Sequence, residues 1–212
     1  MKSTALASVV LISIMAPVGL NAQLFWESPL MVAPNSPAGI SLVLAEMDPG
    51  SGLAGMVAWR GQTAPGSIGI RGGLGEGIGG DLAGFAGVDF SGWIMRSSED
   101  VPIDIAWVTG VGLGAGNYVL MSAPLGASFA YEITGPDIWF NPYITPYLIF
   151  DAALGGDRPS DGDQLDLGVA VDIGADLAFS AGWALRVAAS LGDRGGLAIG
   201  LHLPGVALSG GG

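Results

Sequence analysis

The sequence predicts an all-β protein: a closed antiparallel transmembrane β-barrel, a meander of about ten strands, with eight as the smaller alternative. Three observations carry this. Apolar residues alternate with small or charged ones, period two, in segment after segment. The face opposite the apolar one is mostly Gly, Ala and Ser. Charge is sparse, 12% of residues against 50% hydrophobic, where a soluble domain carries about twice as much. Residues 165–179, LDLGVAVDIGADLAF, show all three. Odd positions are Leu, Val, Ile, Ala and Phe; even positions hold Asp166, Asp172 and Asp176 among Gly and Ala. A fifteen-residue alternation is a strand, because only a strand sends successive side chains to opposite faces.

In chain order, Lys2 and the apolar run Ala5–Met15, broken by Pro17 and Gly19, read as a signal peptide over 1–22 with cleavage after Ala22. The run is too short for a membrane helix. Residues 23–37, QLFWESPLMVAPNSP, carry three prolines and read as an extended lead-in rather than a strand. The barrel is expected over 38–204, with strands at 38–47, 53–62, 66–75, 80–95, 103–114, 125–133, 138–151, 165–179, 183–191 and 197–203. Turn chemistry separates them: DPGSG (48–52), QTAPG (62–66), GEGIGG (75–80), TGPD (134–137), SAG (180–182) and DRGG (193–196). Longer connections are expected at 96–102, 115–124 and 155–163, and a Gly-rich tail at 205–212.

The bare, small-residue face suits a narrow lumen and the continuous apolar face suits lipid, since closed barrels are the sheets that satisfy every backbone group in a bilayer. By parity the lumen receives Asp89, Asp104, Glu132, Asp151, Asp166, Asp172 and Asp176 against Arg60, Arg71 and Arg186, together with His202. Four carboxylates are then uncompensated, which calls for water or cations. Trp59, Phe90, Trp107, Tyr131, Phe140, Phe179 and Trp183 gather near one set of turns as an interfacial girdle. Trp93 has lumen parity and marks a break or a bulge. Those turns belong to the periplasmic end if both barrel termini lie there, with 115–124 and 155–163 outside.

In LGASFAYEI (125–133) followed by NPYITPYLIFD (141–151), the chain resembles the small outer-membrane β-barrel proteins of Gram-negative bacteria. The resemblance implies a barrel of eight to ten strands in the outer membrane, with outer-membrane lipid and the outer-membrane assembly machinery as partners. The ending LHLPGVALSGGG departs from the terminal aromatic residue common in such barrels.

Other chemistry is thin. A net charge of −12 opposes nucleic-acid binding. The absence of cysteine removes disulfides and thiolate metal sites. GEGIGG matches a dinucleotide fingerprint but lacks a strand–helix context, so no cofactor is expected. Asp157, Asp161 and Asp163 have oxygen ligands for calcium without the order of a calcium loop, and read as a solvated acidic loop. His202 has no serine assignable by spacing, so no enzyme is expected. The leading expectation is a non-catalytic structural barrel or narrow cation-preferring passive pore. The alternative is a plugged barrel that binds through loops 115–124 and 155–163.

Overall fold

The computed structural model describes residues 24–47, 52–63, 65–76, 81–116, 118–156 and 165–205. The expected leader, the tail beyond Gly205, most of DPGSG and GEGIGG, and the loop with Asp157, Asp161 and Asp163 lie outside the described residues. The strands are β1 (Gly39–Glu46), β2 (Leu53–Thr63), β3 (Gly66–Glu76), β4 (Leu82–Met95), β5 (Asp104–Ala115) and β6 (Tyr118–Ala130). After them come β7 (Ile133–Thr134), β8 (Ile138–Gly156), β9 (Leu165–Phe179), β10 (Trp183–Gly192) and β11 (Gly196–Pro204). Each long strand pairs antiparallel with its neighbours in sequence, β1 pairs with β11, and β6 pairs with β8. The ring is therefore closed, an all-β meander of ten staves, with β7 a two-residue hairpin arm on β8.

One expectation needs correction. Residues 118–124 belong to the wall, in β6, so 115–124 is not a long loop. The alternation there is real but interrupted: Leu120, Ser122 and Pro124 are buried while Val119 and Leu125 face out. Tyr118, Met121 and Pro124 hid it from a parity count. Consequently the loops no longer distinguish the two ends by length. At Trp93 the β4–β5 register shifts between Trp93 and Met95, which is a bulge.

One end of the barrel holds the start of β1, the end of β11 and the connections 64–65, 96–103, 131–137 and 180–182; it is the terminal mouth. The far mouth holds the opposite ends of the strands and, among the described residues, Met47, Gly52, Asp81, Gly116 and the turn 193–195. Outside, the wall is apolar from stave to stave: Leu42, Val57, Ile70, Leu125, Leu167, Ile173 and Ile199 are all exposed, Ile173 to 49% and Ile199 to 52%. Water does not tolerate so continuous an apolar exterior on a monomeric protein, whereas hydrocarbon does. Near the terminal mouth Phe90, Trp107, Tyr131 and Trp183 are exposed, Trp59, Phe140 and Phe179 partly so, and Phe179 stacks on Trp183 at 4.2 Å.

Inside the ring lies residues 24–37. The segment enters near the far mouth, runs the length of the lumen and joins β1 at the terminal mouth. Leu24, Trp26, Leu30, Met31 and Val32 form one buried cluster with Val43, Ala45, Met56, Phe85 and Val108 of the wall. What the sequence presents as a lead-in is the core of the barrel.

Candidate functional site

The lumen is the site, and three clusters of side chains organise it. In the first, Asp89 of β4 accepts from Arg60 of β2 at 2.6 Å and from Arg71 of β3 at 3.1 Å. Alternation along three successive strands brings these side chains to the same face, and the registers Arg60↔Gly69 and Gly69↔Asp89 leave an empty position between them. A side chain at Gly69 would collide with the Asp89 carboxylate. All three charged groups are buried. Arg71 also donates to the carbonyl oxygens of Pro29 and Leu30 and lies 5.7 Å from the Trp26 ring centroid.

In the second cluster, Arg186 of β10 donates two bonds to Asp176 of β9, at 2.8 and 2.7 Å, across the register Arg186↔Asp176. Ser36 of the inner segment bonds both partners. Arg186 also reaches Ser41 of β1 at 3.4 Å, and Ser41 shares a 2.9 Å hydrogen bond with His202 Nδ1 of β11. A serine thus stands beside the histidine, placed there by the register Ser41↔His202, which joins strands at opposite ends of the chain and has no signature in spacing. The cavity that Ser41 lines measures about 20 Å³, room for about one water molecule. This pair braces the β1–β11 closure.

The third cluster sits at the far mouth. Arg194, in the turn after β10, donates to Glu27 at 2.9 Å and to Asp151 of β8, and its guanidinium stacks 4.0 Å from the Phe25 ring centroid. Burial works against this charge, yet the Glu27 and Asp151 carboxylates outweigh it and hold the guanidinium above its ordinary pKa. Sequence reasoning left Arg194 in a turn and Glu27 in the lead-in, because neither lies on a strand where parity applies.

The remaining sequence-derived residues divide. Asp172 is fully buried, accepts from the Leu30 amide at 2.6 Å and from Tyr147 at 3.1 Å, and so holds the inner segment. Asp104 is buried near the terminal mouth, bonded by Asn35 at 2.5 Å and by the Ser97 amide at 2.8 Å. Glu132 and Asp166 have lumen parity but stand exposed at the mouths. The interior surplus is accordingly smaller than parity indicates. Without the inner segment, Asp89, Asp104, Asp151, Asp172 and Asp176 face Arg60, Arg71, Arg186 and Arg194, an excess of one negative charge.

The glycines explain how a chain fits inside. Trp26 lies flat against β4 and β5 where Gly87, Gly110 and Gly112 leave no side chain. A Cβ at Gly112 would come 2.5 Å from the indole, one at Gly110 2.7 Å, and one at Gly87 would overlap the ring. The indole Nε1 donates to the Ser122 carbonyl at 3.1 Å. Likewise Tyr147 fills the space beside Gly126, and Tyr143 that beside Gly174. These positions hold aromatic rings, not open water.

No protein-family model matches the chain, and no curated protein matches it. Among solved structures, a KdgM porin is similar over 79% of this chain and 99% of that one, with a TM-score of 0.40 and 8% identity.

Proposed function

We propose that this chain is a β-barrel of the outer membrane, a non-catalytic channel scaffold that its own N-terminal segment holds shut. One observation carries the reading: a closed ladder is apolar outside and charged inside, and residues 24–37 fill the interior. The exterior requires lipid, and the outer membrane with its assembly machinery is the setting in which such barrels occur. Paired charges in a lumen make sense where water or ions enter; a merely structural barrel would be filled at lower desolvation cost by apolar side chains. When the segment is absent, the single excess carboxylate inside, with Glu132 and Asp166 at the mouths, favours cations over anions only modestly.

Planar-bilayer recording tests this reading. The intact protein should be silent or show rare small openings. Whatever current flows should reverse, across a salt gradient, on the cation-preferring side. A steady current of wide-porin size from intact protein would refute the closed barrel, and anion preference would refute the charge assignment.

A further inference from the structure

The inner segment is bound differently from everything else in the molecule. Residues 24–37 take part in no strand ladder, whereas each of the ten staves is paired on both sides. Side chains of the wall hold it instead. Arg71 takes the Pro29 and Leu30 carbonyls, Asp172 the Leu30 amide and Gln62 the Ser36 carbonyl at 2.7 Å, while the backbone carbonyl of Ser122 accepts from the Trp26 indole. Met31 is held in the left-handed region, φ 53°, a conformation that persists only where surroundings over-determine it. The segment can therefore leave without opening the ring.

We propose that residues 24–37 are an exchangeable intramolecular ligand, and that the lumen is a binding site for a peptide bearing a Trp–Glu pair. The gating consequence rests on the channel reading above; the binding site does not. The vacated lumen offers an indole-sized niche at Gly87, Gly110 and Gly112, an acceptor at the Ser122 carbonyl, a guanidinium at Arg194 for the acidic residue, and Arg71 with Asp172 for the backbone that follows. That order of groups fixes the direction of the bound peptide. It also fixes the exit. Gly39 is paired with Arg60 and Pro204 at the terminal mouth, so the tethered segment withdraws only through that mouth.

The chain lacks cysteine, so Val32→Cys in the full-length protein supplies a unique buried thiol. Its labelling by a water-soluble thiosulfonate, in barrels folded into phosphatidylcholine vesicles, reports withdrawal, and bilayer current reports opening. Arg194→Gln should speed labelling about tenfold, as loss of one charge-assisted hydrogen bond does to an equilibrium. On a barrel with Trp26→Ala in its own segment, whose wall keeps Arg194, excess synthetic peptide of residues 24–37 should suppress current, and the same peptide with Trp26→Ala should not. Trp26→Ala in the full chain, which leaves the wall untouched, is the second variant and should act the same way as Arg194→Gln. Unchanged labelling in both variants overturns the proposal, as does current that the peptide fails to block. Faster labelling in a silent bilayer upholds the exchangeable segment and refutes the channel.

Discussion

The niche beneath Trp26 makes one substitution unusually informative. At Gly87 the three atoms nearest a new Cβ all belong to the Trp26 ring, so Gly87→Ala collides with the inner segment and not with the wall. Overpacking of this kind costs about 1–3 kcal/mol. That shifts the balance between seated and withdrawn segment about 5- to 150-fold. In the wall itself the change works the other way, because Ala in mid-strand is favoured over Gly by about 0.5–1 kcal/mol. The expected signature is therefore a barrel at least as heat-resistant as wild type, seen by gel mobility before and after boiling, with faster labelling at a cysteine placed at Val32. Pairing the change with Trp26→Ala removes the collision, and Gly87→Ala should then be silent. If Gly87→Ala were equally disruptive with and without the indole, or if it weakened the wall, the seating of Trp26 on β4 would be wrong.

Three further outcomes follow from the wall and its charges. Asp89→Asn strands both Arg60 and Arg71 and should cost about 3–5 kcal/mol in a denaturant titration; Arg60→Gln, which leaves the Asp89–Arg71 pair, should cost less. Ile173 faces out at mid-strand, so Ile173→Arg should cost about 2–4 kcal/mol in lipid, against near silence for Ile173→Leu. Thr145 donates to Ser128 at 2.8 Å where the β6–β8 ladder lacks pairs at 127 and 128, so Thr145→Val should leave a buried hydroxyl unsatisfied and cost about 1–3 kcal/mol in the same titration.

The wall was legible because alternation is a local signal: the fifteen residues of β9 are the fifteen that the pattern marks. Alternation failed where side chains at the far mouth break the apolar face, and so β6 was read seven residues short at Tyr118. The contents of the lumen were not legible at all. Segment 24–37 has neither a two-residue nor a helical period, and it is held through groups 26 to 167 residues distant in sequence, such as Gln62 and Arg194. Glycines at 87, 110 and 112 announce only that side chains are absent; they do not say what occupies the space.

The same contacts change the meaning of the lumen charges. Read by parity alone, a surplus of carboxylates invites mobile cations. A chain that crosses a lumen without joining a ladder has its own requirement, because each buried amide and carbonyl needs a partner. Asp172 meets that requirement for Leu30, Arg71 for Pro29 and Leu30, and Gln62 for Ser36. Arg71 divides its donors between Asp89 and the segment, so withdrawal returns a guanidinium to the Asp89 cluster with donors free. Asp172 would keep Tyr147 and Ser190 as side-chain partners and would become a carboxylate facing the emptied lumen. On the channel reading proposed above, the groups that bind the closed segment are the groups an ion would meet after it leaves, and one set of residues would set both the strength of closure and the selectivity of the open state.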